Sequence, residues 1–253
     1  MQKSTTRKFF SAIAMAAVFS TAYAADVHWS YEGDTGPAYW GDLSPDYHLC
    51  KDGLSQTPVD LNRPKEEKLD KLTISYLDTP LLIKNNGHTI QVTYGAGSYL
   101  TVGTKKYQLL QFHFHTPSEH LKEGRSYDME GHLVHVDDYG ALGVLGVFMK
   151  VGSKGDNSFL KPIWANMPTT AETEVEVAGV SVNVSQFLPK DRDYFSYSGS
   201  LTTPPCSEGV SWMVLEESVS ISQAQLDQFK ALFELNARPE QSLNGRTIKL
   251  KDD

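Results

Sequence analysis

The chain has 253 residues, 40% of them hydrophobic and 21% charged, with a formal net charge of −8. That length and hydrophobic share support one large domain with a substantial core. The acidic balance speaks against binding nucleic acid or an anionic membrane through bulk charge.

The first 24 residues read as a separate object. Lys3, Arg7 and Lys8 precede an apolar run from Phe9 to Phe19, and small residues end in Ala22-Tyr23-Ala24. A charged start, a short apolar centre and an A-x-A site predict a secretory signal peptide over residues 1–24, cleaved near Ala24. The apolar run falls short of the ~20 residues that a membrane-spanning helix needs, and no later segment is long and apolar enough to span. Cleavage removes three basic and no acidic residues, which takes the formal charge from −8 to −11. The expected mature chain, residues 25–253, is then exported to the periplasm or another extracytoplasmic space. Its two cysteines, Cys50 and Cys206, form an even count in an exported protein, which invites a disulfide; two buried free thiols are the alternative.

Further along, Trp29, Tyr31, Tyr39 and Trp40 suggest an N-terminal segment that packs aromatics onto the main body. Short β-rich segments follow, separated by turn signals: 72–76, 89–94, 99–102, 107–115, 132–136 and 141–150. The turns carry Asn85-Asn86-Gly87, Gly95-Ala96-Gly97 and Gly152–Gly155. The clearest helix comes late, in SQAQLDQFKALF. There Ser222 and Gln225 make a capping box, and Leu226, Phe229 and Phe233 recur on one face. The prediction is a single, mainly β domain with a few peripheral helices.

Within the strand 107–115, the stretch QFHFHTPSEH puts three histidines and a glutamate into ten positions. Strand side chains alternate faces, so Leu110, Phe112 and Phe114 are expected in a core, and Gln111, His113 and His115 on the opposite face. Two imidazoles side by side are half a metal site, or an ordinary solvated pair. A catalytic zinc site takes three protein ligands and leaves one position open. The stretch EGHLVH puts Glu130, His132 and Val134 on one strand face, so an antiparallel neighbour would let His132 complete the set. Gln111 and Glu130 share a face with His113 and His132 respectively, and each could fix its neighbour's tautomer. His135, His120 and His48 read as ordinary satisfied histidines.

Together, QFHFHTPSEH, EGHLVH and YSGSLTTPPCSEGVSW closely resemble the α-class carbonic anhydrases. HWSYEGDTGPAYWGDL, SQTPVDL, NNGHTIQV, LGVLGVFMKVG and NARP match further blocks in order, across about residues 28–248. The resemblance implies a single domain around a central ten-stranded, mostly antiparallel twisted sheet with a few short peripheral helices. It places one zinc ion per chain on His113, His115 and His132, at the floor of a conical cavity. The implied reaction is reversible hydration of carbon dioxide to bicarbonate and a proton, by attack of zinc-bound hydroxide. A side esterase activity would follow from the same chemistry.

The resemblance also assigns roles residue by residue. The Thr202 hydroxyl would accept from the nucleophile and donate to Glu119. Val134, Val144, Leu201, Val210 and Trp212 would wall an apolar carbon dioxide pocket, with Thr203 helping to place substrate. His88 would carry the proton to buffer, through water held by Tyr31, Asn86, Gln91 and Thr203. Cys50 and Cys206 match the disulfide pattern of exported bacterial members, many of which are homodimers. Gly131 departs from the family, which more often carries a larger residue there, and Thr57 replaces a commoner serine. Two other readings, a catalytically silent binding module on this fold and a zinc-storage protein, fit less well. The first typically lacks a zinc histidine, and the second favours many redundant exposed ones.

Overall fold

A computed structural model describes residues 27–153 and 155–251. The expected signal peptide and its cleavage site lie outside the described residues. Thirteen strands form one mixed sheet. They are β1 (Lys65–Glu67), β2 (Leu72–Ser75), β3 (Thr79–Asn85), β4 (Ile90–Thr93), β5 (Tyr99–Val102), β6 (Lys105–His115) and β7 (Met129–Val136). The remainder are β8 (Leu142–Val151), β9 (Thr173–Val182), β10 (Tyr194–Ser200), β11 (Glu208–Leu215), β12 (Val219–Ile221) and β13 (Lys249–Lys251). Among the described residues, four short α-helices lie outside the sheet: α1 (Trp40–Leu43), α2 (Leu49–Asp52), α3 (Leu160–Trp164) and α4 (Gln223–Lys230).

The main path runs β1-β13-β10-β11-β8-β7-β6-β4-β3-β9, ten strands as expected, with β12 beside β8 and the β2–β5 pair attached to β6. Every pairing is antiparallel except β1–β13, β8–β11 and β8–β12. The centre is buried on both faces, which explains the nearly unbroken apolar run of β8. Its Leu145, Val147 and Met149 join one core cluster with Phe112, Phe114 and Leu133. Its Val144 and Phe148 point the other way, into a second cluster with Val210 and Trp212. A third cluster collects Trp40 around the Cys50–Cys206 disulfide, with Trp29 and Tyr31 packed against it. The expected disulfide and the expected docking of Trp29, Tyr31 and Trp40 are thus one feature, whereas Tyr39 does not dock and is 49% exposed.

Helix α4 begins at the expected capping box. Ser222 Oγ accepts the Gln225 N–H, and Gln225 Oε1 accepts the Ser222 N–H. Leu226 and Phe229 are buried on its inner face. One strand expectation fails. Leu110 does not join Phe112 and Phe114 in the core: it is 37% exposed, while Leu109 is fully buried. The β6–β7 register shifts between Leu109 and Gln111. A bulge there adds one residue to β6 and breaks the simple alternation. Among the described residues, no helix is long and apolar enough to cross a membrane.

Gly131 is explained by packing. A Cβ built there would stand 2.8 Å from Phe187 Cε1 and 3.1 Å from its Cζ. Of the two reasons for a strand glycine, weak packing or close approach, this is close approach. Gly131→Ala is therefore expected to overpack the Phe187 contact and cost about 1–3 kcal/mol. Denaturant unfolding measures it; an unchanged midpoint would contradict the packing argument.

Candidate metal centre and active site

Strands β6 and β7 pair antiparallel with His113 directly opposite His132 and His115 opposite Glu130. Alternation therefore sends all three histidines to one face. Their ring centroids lie 5.0 Å apart for His113–His115, 5.4 Å for His113–His132 and 4.6 Å for His115–His132. One nitrogen of each lies within 4.8 Å of the other two.

The remaining ring nitrogens are all engaged. His113 Nδ1 donates to Gln111 Oε1 at 2.8 Å, His115 Nδ1 to the Asn236 carbonyl at 2.7 Å and His132 Nε2 to Glu130 Oε1 at 2.9 Å. An amide oxygen, a peptide carbonyl and a carboxylate can only accept, so each imidazole donates there. Its other nitrogen then presents a lone pair. Those lone pairs, on His113 Nε2, His115 Nε2 and His132 Nδ1, face one another. His115 Nε2 is buried without a hydrogen-bond partner, so its lone pair is left for a cation. Three neutral nitrogen donors on rigid strands suit a borderline metal ion.

Burial, with the neighbouring His115 and His132, holds His113 well below the usual histidine value. Burial likewise lowers His115, against the opposing pull of Glu119. Burial also pushes His132 down, but Glu130 outweighs it and the net direction is up. Metal binding at that nitrogen would compete with a proton.

Two carboxylates stand behind the imidazoles. Glu130 Oε1 accepts from both His132 and His120 Nδ1 (2.7 Å), and Oε2 accepts the His120 backbone N–H at 2.9 Å. Burial pushes Glu130 up, yet His120 and His132 outweigh this and hold it well below the usual carboxylate range. His120 Nε2 is hydrogen-bonded to Tyr197 Oη at 2.6 Å. Glu119 Oε1 accepts the Arg238 backbone N–H at 2.8 Å. Its Oε2, 3.6 Å from His115 Nε2 and 3.8 Å from His132 Nδ1, receives no hydrogen bond from Thr202 or any other described residue.

A cleft of about 130 Å³ opens over the imidazoles of His113 and His115 and brings them together with Tyr31, Asn86, His88, Gln91, Gln111 and Thr203. His88 sits in the turn between β3 and β4. Asn85 Oδ1 accepts the Gly87 N–H, and Asn86 Oδ1 accepts the N–H groups of His88 and Thr89. The His88 ring stacks on Trp29, with centroids 3.6 Å apart and planes 8° from parallel. Thr202 and Thr203 lie in a loop closed by Leu201 N–H to Ser207 O and Cys206 N–H to Thr203 O. The disulfide therefore pins the loop carrying both threonines.

A family model described as eukaryotic-type carbonic anhydrase matches residues 35–252. A carbonic anhydrase of Nostoc sp. is 44% identical over 238 residues, covering 92% of this chain and 89% of its own. One from Neisseria gonorrhoeae is 41% identical, with 93% of each chain covered. The α-carbonic anhydrase of Thermovibrio ammonificans, solved with the inhibitor sulfanilamide, superposes with a TM-score of 0.86 at 43% identity. That match covers 89% of this chain and all of the other.

The chain belongs to the eukaryotic-type carbonic anhydrase family. Its reaction is the reversible hydration of carbon dioxide to bicarbonate and a proton. The five residues expected to wall the substrate pocket fall together in the fold but do not line the cleft: Val144, Val210 and Trp212 are buried in the second core cluster, and Val134 and Leu201 pack against it. The Trp212 ring lies 4.9 Å from that of His132, so this cluster abuts one of the three imidazoles.

Sequence reasoning missed four contributors. Asn236 acts on His115 through a main-chain carbonyl, which residue type does not announce. Arg238 also reaches Glu119 through its backbone. Its guanidinium, pushed down to about 10 by burial, donates to Gln56 Oε1, Thr57 O and Cys50 O. His120 is a satisfied buried histidine, as read, but it and Tyr197 also brace Glu130. The spacing of Glu130 and His132 in β7 could not reveal that, because His120 arrives from outside β7. His135 is satisfied too, by Tyr76 Oη and the Gly143 carbonyl.

Glu130→Gln tests this bracing. Both Glu130 oxygens accept, whereas glutamine offers one acceptor and turns an NH₂ toward donors. The variant is expected to hold a divalent metal about 10–100-fold more weakly, as measured by chelator competition. Unchanged affinity would show that Glu130 does not orient His132.

Proposed function

We propose that one zinc ion is held by His113, His115 and His132, and that His88 passes the reaction's proton to buffer. The observation that supports this most directly is the convergence of three imidazole lone pairs, each imidazole being fixed through its other nitrogen. When bound, zinc would supply the Lewis acidity that makes water a nucleophile near neutral pH, with this family as the standard case.

The chain's own groups do the rest. Gln111, Glu130 and the Asn236 carbonyl fix the three tautomers. The Thr202 hydroxyl would aim a lone pair at the attacking group by donating its proton to Glu119 Oε2, an atom that has no hydrogen-bond partner among the described residues. The amide of Thr202 and the hydroxyl of Thr203 place substrate and bicarbonate. Val134, Val144, Leu201, Val210 and Trp212 hold carbon dioxide, which is apolar and needs no polar partner. Tyr31, Asn86, Gln91 and Thr203 line the water path to His88. Burial and Glu119 raise the Tyr31 hydroxyl well above its usual value, so it remains a donor.

We also place the enzyme outside the cytoplasm as residues 25–253, an address that agrees with the disulfide. It assembles there as a homodimer, an expectation carried by the resemblance alone and checked by sedimentation. Slow hydrolysis of activated esters accompanies the main activity.

Paired variants test the division of labour. His88→Ala is expected to lower kcat about 10–100-fold, at or below the usual reach of a proton-transfer group. kcat/KM should hardly change, and imidazole buffer should restore kcat. Thr202→Ala disorients the nucleophile, so kcat/KM falls too and no buffer restores it. Full kcat in His88→Ala without imidazole would end the shuttle assignment.

A pH profile tests the same residue. Hydration needs His88 neutral to take a proton, so kcat rises with pH through its pKa. Burial and the nearby His28 lower that pKa below the usual histidine value, with Glu172 opposing. The kcat inflection is therefore expected below that of free imidazole. His28→Gln should move it up and Glu172→Gln down; the opposite shifts would refute the assignment.

A further inference from the structure

The Asn236 side chain occupies an unusual junction. It is 1% exposed, and its amide is fully engaged. Oδ1 accepts the Thr116 N–H at 2.7 Å, while Nδ2 donates to the Phe114 carbonyl at 2.9 Å and the His88 carbonyl at 3.0 Å. Phe114 lies between His113 and His115 on β6. His88 belongs to a different segment, the turn between β3 and β4. One carboxamide thus ties the backbone of His88 to the strand that bears two of the three converging imidazoles.

We propose that the Asn236 carboxamide is a positioning residue that fixes the His88 turn against β6 and so sets the geometry of proton transfer. This rests on the reading of His88 as the proton carrier. The side chain and the main chain of Asn236 do separate work. The main-chain carbonyl receives His115 Nδ1, and it is a group that any residue at this position would carry. The two amide protons serve only carbonyl groups, one of them that of His88.

Asn236→Asp makes the smallest change in shape. It keeps an oxygen for the Thr116 N–H but turns a lone-pair-bearing oxygen toward two carbonyls. Those carbonyls lose their donor and repel the new group, which displaces the turn. Asn236→Ala removes the donor without adding a repelling oxygen. Proton transfer depends steeply on the placement of the carrying group, whereas attack on carbon dioxide happens at the imidazole floor.

The test uses zinc-loaded enzyme and four variants: Asn236→Asp, Asn236→Ala, His88→Ala and the double variant His88→Ala/Asn236→Asp. Both Asn236 variants are expected to lose kcat about tenfold, at the low end of the ~10–100-fold loss expected of His88→Ala. kcat/KM should stay within about twofold, within the range that leaves the chemical step intact. Zinc content per chain should match the parent, and imidazole buffer should restore kcat. Asn236→Asp should add no further kcat loss to His88→Ala. Independently of activity, the NMR resonances of the His88 ring should shift in both Asn236 variants.

Parallel losses of zinc and kcat/KM without imidazole rescue would place Asn236 in support of the ligand strand alone and overturn the proposal. So would unchanged kcat with unmoved His88 resonances. If Asn236→Asp does not fold, Asn236→Ala carries the test; failure of both to fold would assign the residue to stability and overturn the proposal as well. Full kcat in His88→Ala would remove the shuttle reading, and this inference with it. Impaired His88→Ala beside unimpaired Asn236 variants would sink the inference alone.

Discussion

The register between β6 and β7 is the constraint on which the site depends. His113 faces His132 only because Phe112 pairs with Leu133 and Phe114 with Gly131. A slip of one residue would turn His132 into the core and Leu133 toward the cavity, because strand side chains alternate with period two. Core packing prevents that slip. Phe112, Phe114 and Leu133 are buried in one cluster, and the Phe187 ring fills the space a side chain at Gly131 would take. The apolar side of the sheet thereby specifies the polar side. The bulge between Leu109 and Gln111 belongs to the same device, since it brings the second half of β6 into phase with β7 after the first half has paired.

Register alone places imidazoles but does not orient them. Orientation comes from acceptors that have no proton to give, and burying such groups is tolerable only when they are satisfied. Glu130 shows how this is met. It is fully buried, yet two imidazoles and a backbone N–H reach its oxygens, and His120 is itself held by Tyr197. Chains of this kind are rigid because each member has a single arrangement that satisfies its neighbours. The unpartnered atoms among the described residues fall largely where the chemistry belongs: His115 Nε2 and Glu119 Oε2 point into the same small space, with Ser220 Oγ the other.

Much of this was legible in the residues. The H-x-H alternation announced a strand face, EGHLVH announced its partner, and the Ser222 capping box marked the start of a helix. These signals are local, carried by neighbours in the chain. Leu110 was misplaced because a bulge is a property of two strands together, and one strand's alternation cannot show it. Asn236 and Arg238 were seen only as a matching block. Their work is done by a carbonyl and an N–H that every residue type possesses, and proximity to His115 and Glu119 depends on a contact across 121 and 119 positions. The role of His120 was hidden for the same reason, since its partner Tyr197 lies 77 residues away.

The cavity must serve two incompatible partners. Carbon dioxide is apolar and is held best by a surface with no unsatisfied polar group, whereas a proton leaves only along polar groups and water. The fold separates them by strand. The cluster on β8 and β11, with Val134 of β7 packed against it, is apolar, and the cleft lined by the β3–β4 turn, Gln91 and Gln111 carries the polar groups. Separation creates a further requirement, because the two sides must keep a constant distance while lying on different segments. The loop of Thr202 and Thr203 is tied to the N-terminal segment by the Cys50–Cys206 bond, and that segment supplies Trp29 beneath His88. Residues 236–238 close the remaining gap, touching His88, His115, Glu119 and Cys50 within three positions. The mostly antiparallel sheet positions the imidazoles, and these long-range ties hold the rest of the cavity in fixed relation to them.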